Sequence, residues 1–410
     1  MERFPDFRSP ATLDAHIRHT MDFYRPRCVD ATGGFFHFYR DDGRVYDTAT
    51  RHLVSSTRFV FNFAMAARRF GRDDDRAALA HGLRFLREAH RDPATGGYRW
   101  LLRWHEGRAE ALDSSNHAYG LAFVMLAYAH ALMAGVAEAR AWMDETWALM
   151  EARFWEPHAG LYADEASADW SSTSGYRGQN ANMHACEAML AAFEATGELR
   201  YLHRAETLAR NITQRQAALA GGLIWEHYHA DWSVDWDYNR HDKSNIFRPW
   251  GYQPGHLTEW AKLLLILERD APLLLQGAQW LQPRARELFD TAMAQAWDEQ
   301  HGGLFYGFGP DESGRLQVCD ADKYFWVQAE SLATAGLLAL RTGEARYWDD
   351  YERLWRYSWR HFVDHQHGAW YRILTADNRA YSDEKSPAGK TDYHTMGACY
   401  EVLAALEAKR

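Results

Sequence analysis

His256 and Glu259 stand three residues apart in Pro254-Gly255-His256-Leu257-Thr258-Glu259-Trp260. Proline is tolerated in a first helical turn, whose N–H groups lack intrahelical partners anyway, so a helix is expected to begin near Pro254. At that spacing the imidazole and the carboxylate share one helix face. The segment continues Ala261-Lys262-Leu263-Leu264-Leu265-Ile266-Leu267, so most of it must be buried, and a titratable pair opening it marks a candidate site. The plainer alternative is a capping glutamate beside a hydrogen-bonded core histidine. Other stretches repeat the pattern: Arg58 in Ser55-Ser56-Thr57-Arg58-Phe59, Tyr119 in Asn116-His117-Ala118-Tyr119, Asn180 with His184 and Trp326 with Glu330 at i, i+4, and His394 after Lys390-Thr391-Asp392-Tyr393. Three histidines, two carboxylates and an arginine are the groups of general acid/base work near neutral pH, where imidazole both takes and gives a proton.

Rival chemistries have weaker support. Histidine and glutamate are metal ligands, but spacings such as H-E-x-x-H are missing, so no metal is expected. A phosphate-cradling glycine loop and a G-x-S-x-G nucleophile elbow are missing too, and no cofactor is expected. Glu259 and Glu330 could be the carboxylate pair of a glycoside hydrolase, which has no need of three histidines.

The elements that carry these residues follow from an internal repeat. Six aromatic runs follow one or two glycines: Gly33-Gly34-Phe35, Gly96-Gly97-Tyr98, Gly160-Leu161-Tyr162, Gly221-Gly222-Leu223-Ile224-Trp225, Gly302-Gly303-Leu304-Phe305 and Gly368-Ala369-Trp370. From the last glycine of each, the steps are 63, 63, 62, 81 and 65 residues. Asp30, Asp92, Glu156, Asp298 and Asp364 precede five of the six, as in a turn ending in a short strand. Each step has room for two helices, one apolar nearly all round, as in Leu121-Ala122-Phe123-Val124-Met125-Leu126-Ala127, and one amphipathic, with Leu79, Leu83 and Leu86 against Arg76, Arg84 and Arg87. Thr196-Gly197-Glu198-Leu199-Arg200-Tyr201 recurs as Thr342-Gly343-Glu344-Ala345-Arg346-Tyr347, 146 residues on. The expectation is an all-α (α/α)6 barrel, six inner and six outer helices with short β-hairpins in the loops, as one domain over residues 1–410; an open solenoid is the alternative. An opening helix is expected near residues 10–26, and inner helices near 51–70, 115–134, 178–196, 253–269, 324–341 and 390–408. Outer helices return the chain, so the inner ones run parallel and the polar residues above meet at one mouth. The long step leaves extra residues around Asp231 to Gln253, a candidate functional loop.

Composition sets the outer limits. The 410 residues are 47% hydrophobic with a net charge of -10, which gives no basic surface for nucleic acid or anionic lipid. There is no signal-peptide pattern at Met1-Glu2-Arg3-Phe4 and no long apolar window, so a soluble, cytoplasmic protein with no membrane partner is expected. Cys28, Cys186, Cys319 and Cys399 are scattered, as reduced thiols are. Aromatic residues at 14% exceed an ordinary core's need, and flat rings suit the apolar face of a small-molecule sugar.

At Tyr176-Arg177-Gly178-Gln179-Asn180-Ala181-Asn182-Met183-His184, Gly255-His256-Leu257-Thr258-Glu259-Trp260, Trp326-Val327-Gln328-Ala329-Glu330 and Lys390-Thr391-Asp392-Tyr393-His394-Thr395-Met396-Gly397, the chain resembles the N-acylglucosamine 2-epimerase superfamily of (α/α)6 barrels, on its aldose–ketose isomerase side. The resemblance covers nearly the whole chain. It implies metal-independent proton transfer through a cis-enediol on an open-chain monosaccharide, interconverting D-mannose and D-fructose, or D-lyxose and D-xylulose. His394 matches the histidine that removes the C2 proton and returns it to C1. His256 matches the second acid/base, with Glu259 holding its tautomer. His184, Asn180, Arg58, Tyr119 and Glu330 match groups that bind hydroxyls and stabilise the enediolate, and Trp326 would stack on the sugar. Epimerases of the superfamily hold the same two histidines, so 2-epimerisation of mannose, cellobiose or an N-acylglucosamine is the alternative outcome. A sulfonated-hexose branch would need a further cation, for which Arg177, Lys243 and Arg248 are candidates, and a sugar-binding toroid without turnover is the remaining reading.

Overall fold

Stretches that are apolar on every side have nowhere to go but between other helices, and those with one apolar face close over them. The computed structural model describes residues 4–242, 245 and 247–409. Its twelve long helices alternate in this sense: α1 (Pro10–Tyr24), α2 (Leu53–Phe70), α3 (Asp73–Phe85), α4 (Ala118–Met133), α5 (Ala139–Arg153), α6 (Gln179–Thr196), α7 (Leu199–Arg210), α8 (Pro254–Leu267), α9 (Leu281–Ala296), α10 (Phe325–Thr342), α11 (Ala345–His361) and α12 (Tyr393–Ala408). The even-numbered helices form the inner ring. α2 packs on α4, α4 on α6, α6 on α8, α8 on α10, α10 on α12, and α12 returns to α2, so the ring closes. The odd-numbered helices lie outside, each against an inner neighbour, with α1 backing α12. α11 shows how: Tyr347, Tyr351, Leu354, Trp355 and Ser358 are buried at helical spacing while the arginines between them face water. This is the (α/α)6 barrel expected from the repeat. Among the described residues no helix is long and apolar enough to cross a membrane.

The Thr-Gly-Glu echo is the hinge between layers. Gly197 (φ 70°) and Gly343 (φ 74°) end α6 and α10 in the left-handed conformation that a side chain disfavours. Thr196 and Thr342 then each accept the N–H of the following glutamate, at 3.2 and 3.1 Å, which turns the chain outward.

Short strands launch the inner helices. Thr50–His52 leads into α2, Asn116–His117 into α4, Arg177–Gly178 into α6 and Lys323–Tyr324 into α10. Each pairs with a strand from the next stretch of chain, as Arg177–Gly178 does with His227–Tyr228. Amides near the start of the inner helices fix the register. Asn182 Oδ1 accepts from Tyr162 N (2.8 Å) while its Nδ2 donates to Tyr162 O (3.0 Å), and Gln328 makes the same double bond to Leu304 at 2.9 and 2.8 Å. A buried backbone group left unpaired costs about 1–3 kcal/mol, so such clamps hold the glycine turns in place.

Boundaries shift from the sequence expectation by up to three residues, and two of the shifts have a plain physical cause. α1 stops at Tyr24, because Pro26 disfavours helical geometry in the residue before it. α12 begins at Tyr393 and not near 390, because Thr391 (φ 44°) and Asp392 (φ 51°) are left-handed. Asp392 is held there by Tyr24 Oη (2.6 Å), Lys390 Nζ (2.5 Å) and Trp370 N (3.3 Å).

Candidate active site

Parallel inner helices bring residues far apart in the chain to one mouth. Arg58 of α2, Tyr119 of α4, Asn180 and His184 of α6, His256 and Glu259 of α8, Trp326 of α10 and His394 of α12 line a single pocket. Loop residues Phe247, Pro249, Tyr306, Tyr324, Arg372 and Lys390 complete its rim. Glu330, expected to bind substrate, lies one layer below.

Three imidazoles are each tied through Nδ1 to a glutamate. His394 Nδ1 lies 2.7 Å from Glu330 Oε1, His184 Nδ1 2.9 Å from Glu187 Oε2, and His256 Nδ1 2.9 Å from both oxygens of Glu226. A carboxylate accepts and does not donate, so each ring carries its proton on Nδ1 and keeps Nε2 for the pocket. The expected pairing of His256 with Glu259 is therefore corrected: the carboxylate that holds His256 is Glu226. Glu226 is itself fixed by Gln179 Nε2 (2.9 Å), whose Oε1 accepts from Trp260 Nε1 (2.7 Å). Three residues along a helix put His256 and Glu259 on one face but at different depths, and Glu259 reaches inward, where Lys262 Nζ is 3.9 Å from its Oε1. The expected binding role of Glu330 also needs revision, because its two oxygens are taken by His394 and by Lys262 Nζ at 2.5 Å.

Burial and charge set the protonation states. Burial, then the Arg58 guanidinium, His184 and Lys262, hold His394 well below the usual imidazole range, so it is neutral and able to accept a proton at neutral pH. Burial also lowers His184, against the pull of Glu187. Glu259 is pushed well above the usual carboxylate range by burial and then by Glu330. Glu187 goes the other way: burial raises it, but the His184 hydrogen bond and the Lys262 charge outweigh that and hold it low. Burial works against the Lys262 ammonium, yet Glu330, Glu259 and Glu187 together keep it charged.

The remaining walls are aromatic and cationic. The Trp326 ring lies 4.9 Å from that of His256 and 5.7 Å from that of His394. Gly255 makes room for it, since a Cβ there would lie 2.4 Å from the indole. Arg58 is sandwiched over Phe123 (4.4 Å) and Tyr393 (4.7 Å), donates to Gly389 O and reaches Tyr119 Oη at 3.3 Å. Asn180 Oδ1 is buried without a partner among the described residues.

Of the cations considered for a charged substrate, Arg177 is tied to Glu156 away from the pocket at 3.0 and 2.6 Å. Arg248 lies over Tyr176, pairs with Glu165, and lines a neighbouring pocket that shares Tyr119, Asn180 and Phe247 with the first. Lys243 lies outside the described residues. Arg372, unforeseen, is on the rim and paired with Glu384. Two groups of ligand-type atoms lie within 4.8 Å of one another, His184–Glu187–Glu259 and Glu259–Glu330–His394. In the second, the Lys262 ammonium already supplies a positive charge.

Glu187, Glu226 and Lys262 escaped the sequence reading. Glu187 had a signal, lying three residues after His184 on the same helix. Glu226 had a fainter one, directly after the aromatic run Leu223-Ile224-Trp225. Lys262 sits inside an apolar run and continues the His256, Glu259 face by one more turn.

Comparison with known proteins agrees with this fold. The model of the N-acylglucosamine 2-epimerase (GlcNAc 2-epimerase) family matches residues 34–398. The chain is 54% identical over 404 residues to the D-mannose isomerase of Marinomonas mediterranea, covering 98% of this chain and 99% of that one. A crystal structure of D-mannose isomerase superposes with a TM-score of 0.93 at 54% identity, over 98% of this chain and all (100%) of that chain. The cellobiose 2-epimerase of Spirochaeta thermophila shares the fold, with a TM-score of 0.84 at 23% identity over 98% of this chain and 97% of that one. The ring of six inner helices is thus a shared fold, and the chain belongs to the N-acylglucosamine 2-epimerase family.

Proposed function

We propose that the protein is an aldose–ketose isomerase that interconverts D-mannose and D-fructose, with the whole chain acting as one catalytic unit. The observation that carries the chemistry is the meeting of two imidazoles, each fixed by a glutamate through Nδ1, in one pocket with the Arg58 guanidinium. The 54% identity to a D-mannose isomerase over nearly the full length supports the substrate.

The steps balance with these groups alone. His394 Nε2 takes the C2 proton of the open-chain aldose, and the electron pair moves through C1=C2 onto O1. His256, whose Nε2 is bare, takes the proton of the O2 hydroxyl and passes it to O1, leaving a carbonyl at C2 as the C1=C2 electron pair turns back toward C1. His394 then returns its proton to C1. Arg58 offsets the negative charge of the enediolate in a site largely shielded from water, where such charge is worth most. Trp326 stacks on the apolar face of the sugar, and Asn180, His184 and Tyr119 bind hydroxyls. D-lyxose, which keeps the C1–C2 arrangement and lacks the sixth carbon, is a second aldose for the same chemistry, with D-xylulose as its product. The buried thiols of Cys28, Cys186 and Cys399 fit a reducing compartment, and we place the enzyme in the cytoplasm.

The test is incubation with D-mannose after exhaustive chelation, with products followed by NMR. Appearance of D-fructose is the expected result. Glucose as sole product would move the chain to the 2-epimerases, and ketose only after metal is restored would make one of the His/Glu groups a metal site.

A further inference from the structure

Below the pocket the barrel axis is closed by a layer of charge. His256, Glu259 and Lys262 descend one face of α8 at three-residue steps, the last ending among Glu330 of α10 and Glu187 of α6. Lys262 is buried, with Nζ 2.5 Å from Glu330 Oε2 and 3.9 Å from Glu259 Oε1. Glu187, Lys262 and Glu330 also line a second cavity at the far end of the ring, so they form the partition between it and the sugar pocket. Two of the three pocket imidazoles have their partners in this partition, His184 in Glu187 and His394 in Glu330, and Lys262 lies 3.9 Å from Glu259.

Resting on the reading of His394 as the base, we propose that Lys262 is a positioning residue for the reaction. Its ammonium engages one oxygen of Glu330, so that the other accepts from His394 Nδ1 without drawing that proton away, and Nε2 stays bare toward C2. The bond lengths fit a relay in which one carboxylate is shared between a permanent cation and an imidazole N–H. Without the ammonium, Glu330 would face His394 as a stronger base in a buried site. The imidazole would then hold a second proton at higher pH, and the base would be lost. The groups that face His394 are Arg58 from α2, His184 and Glu187 from α6, Glu259 and Lys262 from α8, Glu330 from α10 and Tyr393 on its own helix. Arg58 is held by Gly389 and two rings and Glu187 by His184 and Tyr393, so Lys262 is the cation whose removal acts on the Glu330–His394 pair directly.

Two readouts test this. The imidazole ¹⁵N shifts of His394, assigned by comparison with His394→Asn, report its tautomer and titration with no need for turnover. The pH profile of kcat/KM for ketose formation reports the same group in action. In Lys262→Met the ¹⁵N titration and the acid limb of kcat/KM are both expected to move up by ~1 pH unit or more, with kcat down ~10-fold or more and KM within ~3-fold. Lys262→Arg, which keeps the charge, is expected to restore the wild-type limb, and Lys262→Gln serves in place of Lys262→Met if the latter does not fold. Unmoved His394 titration in a folded neutral variant overturns the proposal, as does an equal shift in Lys262→Arg. If the titration moves as expected but the wild type forms no ketose, the isomerase reading fails and the role of Lys262 in setting His394 stands.

Discussion

An imidazole acts as a base only through a bare nitrogen, and the partner of its other nitrogen decides which one that is. At His256 the decision belongs to Glu226, a loop residue just before the strand His227–Tyr228 that none of the helical spacings pointed to. Glu226→Gln keeps the shape and loses the charge, and the new amide can donate to Nδ1 as easily as accept from it. A ring that accepts at Nδ1 carries its proton on Nε2, the wrong form for taking the O2 proton. The expected result is a fall in kcat of ~10²-fold, the usual scale of a general acid/base group, with KM for D-mannose little changed. Steady-state kinetics beside a melting curve check it. A kcat within a factor of two of wild type would mean that Glu226 serves the core and not the chemistry. Much of the site was readable because its side chains ride on helices in phase: Arg58, Tyr119, Asn180, His184, His256, Trp326 and His394 share a pocket because each sits in the first turns of an inner helix. What was not readable is depth. His256 and Glu259 share a face and both line the pocket, but only a structure tells that Glu259 sits deeper, against Lys262 on the barrel axis.

At the scale of elements, the first turn of α8 is shaped by what it must let pass. Trp326 crosses Gly255 so closely that a Cβ would sit 2.4 Å from Cζ3 and 2.7 Å from Cη2 of the indole. Gly255→Ala gains helix preference of about 1 kcal/mol, but overpacking costs ~1–3 kcal/mol unless the ring moves. The ring can move, toward the pocket, where it lies against His256 and His394. The expected outcome is therefore a small stability change with KM raised several-fold and kcat reduced less, seen by kinetics and by a shift in tryptophan emission on sugar addition. Unchanged KM would mean that Trp326 does not touch the substrate. The elements themselves were legible from glycine turns and helical periodicity, since those signals are local. The boundaries were not where long-range bonds decide them: Thr391 and Asp392 are good sequence candidates for the start of a helix, and it is Tyr24, Lys390 and Trp370 that hold Asp392 left-handed.

The whole ring, finally, is built around imidazoles kept neutral. Burial lowers His16, His52 and His130 to about 3 and His90 and His227 to about 4, and carries His37, His184 and His394 down as well. Unfolded, each returns to the ordinary value near 6.5 and binds a proton that the folded chain refuses. Stability is therefore full above about pH 6.5 and is lost as pH falls toward the folded values, at up to ~1.4 kcal/mol per pH unit for each group. Asp164, raised to about 7 by burial, works in the opposite sense: folded, it takes up a proton below that pH which the unfolded chain does not, as do Glu259 and Glu330. Asp41, Asp75, Asp270 and Asp350 are raised as well, but a carboxyl counters a histidine between pH 6.5 and 5 only where its folded value reaches that window, as those of Asp164 and Glu259 do, so acid wins. Between pH 6.5 and 5 each fully shifted histidine costs about 2 kcal/mol, and a net excess of even two or three is a large part of the roughly 5–15 kcal/mol that holds a typical domain. The melting temperature is expected to be flat from pH 8 to 7 and to drop steeply below pH 6. Calorimetry across that range checks it, and His130→Phe and His16→Phe, at sites remote from the sugar pocket, should each flatten the drop. A melting temperature unchanged down to pH 5 would mean that the buried imidazoles are protonated in the folded ring, and the neutral base assigned to His394 would lose its footing with them.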